Sequence, residues 1–132
     1  MDESVVRMMR DDAASGALGI EVLAAAGGSA RTRMTVRPDM VNGHGIAHGA
    51  FLFAVADTAF AAACNSHGPV TVAAAADVTF IAPAYADDVL EATATERIRF
   101  GRSGIYDVTV RRGDAVIAEF RGTSRTLRAE AR

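Results

Sequence analysis

Asp57 is the one charged side chain in the fifteen residues from Ala50 to Cys64, thirteen of which are apolar. A carboxylate in such a run is costly unless it is hydrogen-bonded or functional, so Asp57 reads either as a satisfied core acid or as a working group. Its other polar neighbour is Thr58. The apolar run is preceded by Asn42-Gly43-His44-Gly45-Ile46-Ala47-His48-Gly49. Glycines there suit tight turns or the close approach of a ligand. The first N–H groups of the helix that follows lack intrahelical acceptors. Backed by the helix dipole, such donors stabilise negative charge developing on an oxygen. Asn42 reads equally as a turn residue favoured by Gly43 or as a site residue. His48 either caps the helix or positions a carbonyl, and the positive helix end favours its neutral form. His44 and His48 have the i, i+4 spacing of a helical metal pair. The flanking glycines make that segment a loop and no third ligand is evident, so no metal is expected. Cys64, the single cysteine, lies inside the apolar run and reads as a small core residue rather than a nucleophile.

The elements that must hold these groups follow from length and pattern. A chain of 132 residues supports one domain with a proper core. A net charge of -2 and a pI near 5.9 give no footprint of a nucleic-acid binder. All 14 basic residues are Arg, which excludes Schiff-base and proton-transfer chemistry on a Lys amine. The N-terminal stretch lacks a signal-peptide core, so a cytoplasmic location is expected. The apolar run is shorter than the about 20 residues that span a bilayer and carries a central Asp, so it is expected to be a helix buried all round by protein.

Before it, Val5, Met8 and Met9 at helical spacing predict one amphipathic helix over 3–14, ending at Ser15-Gly16. Residues 19–26 and 29–36 predict a hairpin about Gly27-Gly28, with Ala30, Thr32, Met34 and Val36 on one face. After Asn65, His67, Gly68 and Pro69, the stop signals of the helix, the pattern is strands over 70–81 and 88–100 and two more toward Thr126. In the second of these, Arg97 and Arg99 fall on one face and Ile98 and Phe100 on the other. The whole is an α+β domain, an antiparallel sheet curled around one central helix.

Asn42-Gly43-His44, His48-Gly49-Ala50, Ala56-Asp57-Thr58-Ala59-Phe60 and Cys64-Asn65 together resemble the hotdog-fold acyl-CoA thioesterases of the phenylacetate-degradation type. Phe80-Ile81-Ala82-Pro83, Gly104-Ile105-Tyr106-Asp107 and Phe120-Arg121-Gly122-Thr123-Ser124 extend the resemblance over most of the chain. Ala50 stands where the family usually has a second Gly, and Ala82 where it often has an Arg. The resemblance implies hydrolysis of an aryl or arylacetyl-CoA to the free acid and coenzyme A, without metal or redox cofactor. It implies Asp57 as general base or nucleophile, the Gly49 N–H as the donor to the thioester carbonyl, Asn42 as the group orienting thioester or water, and Thr58 as support beside Asp57. His48 and Ala50 are expected at the substrate, while the Arg groups at 97, 99, 102, 111 and 112 read either as a solvated strand face or as partners of the coenzyme phosphates. It further implies a homodimer or homotetramer with sites shared between chains. Geometry favours sharing too, because Gly49 and Asp57 lie roughly 12 Å apart along one helix. Two other classes compete: a hotdog hydratase, which wants a paired acid and base, and a non-catalytic acyl-CoA sensor, which would dispense with the carboxylate.

Overall fold

The computed structural model describes residues 1–128. It contains α1 (Glu3–Arg10), α2 (Ala13–Ala17), β1 (Glu21–Ala26), β2 (Ser29–Thr35), a 3-10 turn (Pro38–Met40), α3 (Gly49–Asn65), β3 (Thr71–Phe80), β4 (Val89–Phe100), β5 (Ser103–Arg112) and β6 (Ala115–Thr126). The strands form one antiparallel sheet in the order β1-β2-β4-β5-β6-β3, curled around α3. α3 carries the chain from β2 across to the far edge, so β3 pairs with β6, while short turns keep β4, β5 and β6 adjacent.

The inner face is set by period two. Ala30, Thr32 and Met34 of β2, Leu90, Ala92 and Ala94 of β4, and Tyr106, Val108 and Val110 of β5 are buried against Val55, Ala56, Ala59, Phe60 and Ala63 of α3. The small residues on both sides let helix and sheet approach closely. Thr32, the polar member of the β2 set, donates to the Val55 carbonyl at 2.9 Å, so its burial leaves no unpaired hydroxyl. Asn65 ties the helix end to β3: its Nδ2 donates to the Ala61 and Thr71 carbonyls and its Oδ1 accepts from the Thr71 N–H.

Gly122 shows how tight the core is. A β-carbon there would sit 2.8 Å from three atoms of the Phe60 ring, which is 1% exposed and packs against Tyr106 and Phe120. Gly122→Ala is therefore expected to destabilise by about 1–3 kcal/mol through overpacking. Urea unfolding should show a lower midpoint at unchanged slope.

Three expectations are corrected. The N-terminal helix is not continuous over 3–14. Asp11 caps α1, and Asp12 starts α2 by accepting from the Ser15 N–H at 2.9 Å, the Asp side chain competing with helical continuation. In β4 a bulge between Glu96 and Ile98 separates Arg97, which meets Asp107 at 3.4 Å, from the face of Arg99, so the two do not share a face as expected. Ile98 and Phe100 share a face, as expected, and are 55% and 49% exposed, while Arg99, itself exposed, lies 3.4 Å from Glu96. Finally, α3 is not covered all round within the chain. Ala50, Ala54, Asp57 and Ala61 form a partly open stripe at helical spacing, because the sheet ends at β3 before it closes over that side.

Candidate active site

The loop before α3 is folded by Asn42. Its Oδ1 accepts from the His44 and Ile46 N–H groups at 2.8 and 3.2 Å, its own N–H donates to the Ile46 carbonyl at 2.7 Å, and a bridge between Val41 and Ala47 closes the loop. Gly45, at φ 76, takes the left-handed conformation the turn requires. The Asn42 amide oxygen is thus committed to the loop, while its NH2 group finds no acceptor among the described residues.

His48 caps α3. Its Nδ1 accepts from the Ala50 N–H at 3.2 Å and its backbone N–H donates to the Met40 carbonyl at 2.8 Å. An accepting Nδ1 leaves the proton on Nε2. The next residue, Gly49, opens the first turn, and its N–H has no acceptor among the described residues. The Phe80 ring lies against Gly49, where a β-carbon would come within 2.8 Å of it. Phe80 is itself 52% exposed. Around this point runs an open groove of about 580 Å³ whose lining, including Leu52, Phe80, Ile81, Ala82 and Pro83, has His48 as its one polar side chain. Ala50 borders it directly.

Asp57 lies two turns farther along α3, half-buried on the open stripe, and its carboxylate has no hydrogen-bond partner among the described residues. Burial, seconded by the negative charge of Asp12, raises its pKa above the ordinary carboxylate value. An unpartnered carboxylate of this kind takes protons readily and is not a satisfied core acid. Thr58 points elsewhere: it is 7% exposed and its Oγ1 is 2.9 Å from Ser15 Oγ of α2. Burial pushes the Cys64 thiol up to about 12, which keeps it protonated and inert as a nucleophile.

Of the five arginines named above, Arg112 reaches the rim of this groove, donating to the Pro83 carbonyl at 3.1 Å, and most are paired on the sheet. Arg97 meets Asp107 at 3.4 Å and Arg112 meets Asp88 at 3.1 Å, while Arg99 reaches Glu96. Glu96 is also bonded by His67 and Tyr106, each at 2.8 Å, near the opposite end of α3. The structure thus gathers His48, Gly49 and Ala50 at one groove, holds Asn42 in the loop before it, and leaves Asp57 along the helix. Sequence reasoning missed Phe80 as the residue lying on Gly49, since only the fold brings β3 to the helix start. It also missed Asp12 and Ser15, whose Asp-x-x-Ser spacing is a capping signal.

The family model for the thioesterase superfamily matches residues 44–119. The chain is 43% identical over 121 residues to the acyl-coenzyme A thioesterase PaaI of Escherichia coli, an alignment covering 91% of this chain and 86% of that protein. The structure of the E. coli PaaI protein from the phenylacetic acid degradation operon superposes with a TM-score of 0.93 at 40% identity, covering 96% of this chain and 92% of the other. A mutant form of the phenylacetic acid degradation protein PaaI from Thermus thermophilus gives 0.82 at 40% identity, covering 86% and 97%. A long helix wrapped by an antiparallel sheet, a free N–H at its start and an isolated carboxylate along it accompany that likeness, and the chain belongs to the thioesterase superfamily with its hotdog fold.

Proposed function

We infer that the protein hydrolyses acyl-CoA thioesters, with an aryl or arylacetyl group as the preferred acyl chain. The observation that carries this reading is the pairing of an unpartnered Gly49 N–H at the start of α3 with an unpartnered carboxylate on the open stripe of the same helix. The thioester carbonyl oxygen accepts from the Gly49 N–H, backed by the helix dipole. As a base, ionised Asp57 takes a proton from the attacking water while the C–O bond forms, and that proton passes to the thiolate as the C–S bond breaks. As a nucleophile, it forms a mixed anhydride with loss of the thiolate, and water then cleaves the anhydride, releasing the acid, restoring the carboxylate and giving its proton to the thiolate. The free NH2 of Asn42 is available to orient thioester or water. Thr58, whose hydroxyl is engaged by Ser15, supports Asp57 only by holding the helical turn the two share.

The two halves meet between chains. The roughly 12 Å from Gly49 to Asp57 along one helix is too long for one carbonyl to reach both. A two-fold dimer with antiparallel α3 helices brings Gly49 of one protomer beside Asp57 of its partner. Supporting this, the open stripe of Ala50, Ala54, Asp57 and Ala61 lies beside an edge strand, β3, whose residues 72–77 are exposed. That strand carries no proline or basic residue to guard its edge.

A panel of acyl-CoA substrates with thiol-release detection tests the reading. The groove's apolar lining and its modest volume of about 580 Å³ suit a compact ring. kcat/KM for phenylacetyl-type thioesters is expected to exceed that for palmitoyl thioesters about tenfold or more, the order that a few misplaced methylenes command. A clear palmitoyl advantage overturns the acyl preference, and no thiol release from any member overturns the activity.

A further inference from the structure

α2 is only five residues long, yet a hydrogen-bonded chain, buried at its Ser15–Thr58 link, fastens it to α3. Asp12 Oδ1 accepts from the Ser15 N–H at 2.9 Å, and Oδ2 accepts from the Ser15 hydroxyl at 2.7 Å. Ser15 Oγ lies 2.9 Å from Thr58 Oγ1. The single hydroxyl proton of Ser15 goes to Asp12, so in the Ser15–Thr58 contact it is Thr58 that donates. The chain therefore runs from Thr58 through Ser15 to Asp12. Both hydroxyl residues are buried, Ser15 at 5% and Thr58 at 7% exposure, and the chain ends on the turn of α3 that bears Asp57.

Capping does not need a charge at position 12, since Asn caps a helix as well as Asp. A carboxylate there has a separate consequence, because its charge acts on Asp57. Charged side chains on the elements packed around α3 are exposed, on the outer face of the sheet or engaged elsewhere. Glu3, Arg7, Arg10 and Asp11 are exposed on or beside α1. By register, Glu21, Arg33, Asp77, Asp107 and Arg121 stand on the outer face of the sheet. Glu96, with Arg99 beside it, is engaged by His67 and Tyr106, and Cys64, two turns beyond Asp57, is a neutral thiol.

We propose that Asp12 and Ser15 are positioning residues for the reaction, the Thr58–Ser15–Asp12 chain holding the turn of α3 that bears Asp57 and keeping a second negative charge beside it. This rests on the thioesterase reading given above. The charge makes Asp57 a better proton acceptor, and the clamp fixes where its carboxylate points. Asp12→Asn removes the charge and keeps the cap, with the amide NH2 donating to Ser15 Oγ and Ser15 donating in turn to Thr58. Ser15→Ala breaks the clamp and keeps the charge.

The experiment measures the Asp57 Cγ titration by carbon NMR in folded protein, together with the pH profile of kcat/KM. In Asp12→Asn the Asp57 midpoint and the acid limb of the profile are both expected to move to lower pH. In Ser15→Ala kcat is expected to fall on the order of tenfold at little-changed KM, the limb staying in place. Asp12→Ser, which also caps, replaces the Asn variant should that one not fold. An unmoved Asp57 midpoint, or a moved midpoint with an unmoved limb, overturns the role of Asp12. Wild-type kcat in folded Ser15→Ala overturns the clamp. Absence of any wild-type hydrolysis defeats the thioesterase reading instead, and the NMR midpoint still decides the charge coupling.

Discussion

Asp57→Ala is expected to leave a folded chain whose thioester hydrolysis is reduced about a hundredfold or more, the usual effect of removing a general base or nucleophile. The carboxylate is the one charged group on the open stripe of α3, and no described residue holds it in a structural hydrogen bond. Its loss removes the attacking or proton-accepting group and leaves the Gly49 donor intact, so residual catalysis and substrate binding persist. A purified variant within a few-fold of wild type contradicts the assignment.

The same residue carries a stability signature of opposite sign. Burial and Asp12 raise the Asp57 pKa above its unfolded value of 3.8, so the folded chain binds this proton more tightly than the unfolded chain. Stability contributed by the protonated form is fully present below the unfolded value and is lost as pH rises through the raised one. At neutral pH the ionised carboxylate is therefore a net cost to folding. Asp57→Asn, neutral at every pH, is expected to melt above wild type at pH near 7, the gap closing below the ordinary Asp range near pH 4.

Much of the site was legible because the helix that bears it is written in strong local signals. The glycines and His48 before Ala50, the unbroken apolar run, and Asn65 with Gly68 and Pro69 after it fixed α3 to within one residue at each end. Asp57 stood out because nothing else in the run is charged. What escaped depended on long-range contact or on a one-residue irregularity. The bulge after Glu96 parts Arg97 from the face of Arg99, and an alternation pattern carries no mark of an extra residue. Thr58 reads as a neighbour of Asp57, but successive helical residues project in different directions, and its hydroxyl goes to Ser15 forty-three positions away. The open stripe was hidden for a similar reason. An apolar helix demands cover all round, yet the sequence does not say whether that cover comes from the same chain.

Gly49→Pro is expected to reduce hydrolysis on the order of a hundredfold by removing the carbonyl donor while leaving the fold standing. Proline is tolerated at the first helical position, where the N–H has no intrahelical acceptor. His48, at φ -63 and ψ 135, already has the extended conformation that precedes proline readily. The Phe80 ring must swing aside, and at 52% exposure it has room to do so. Asp57→Ala and Gly49→Pro thus disable opposite halves of one site. If each site takes Gly49 from one chain and Asp57 from another, a mixed dimer of the two variants holds one site with both parts intact and one with neither. Random pairing makes half the dimers mixed, which sets recovery at up to about a quarter of wild-type activity.

Co-refolding the two variants in equal amounts, with mixed dimers verified by mass, tests the shared site most directly. The predicted result is activity climbing from the near-silent parents toward that quarter, scaling with the mixed fraction. Verified mixed dimers that recover nothing, from parents that are each folded, contradict the shared site and return Asp57 to the service of its own chain.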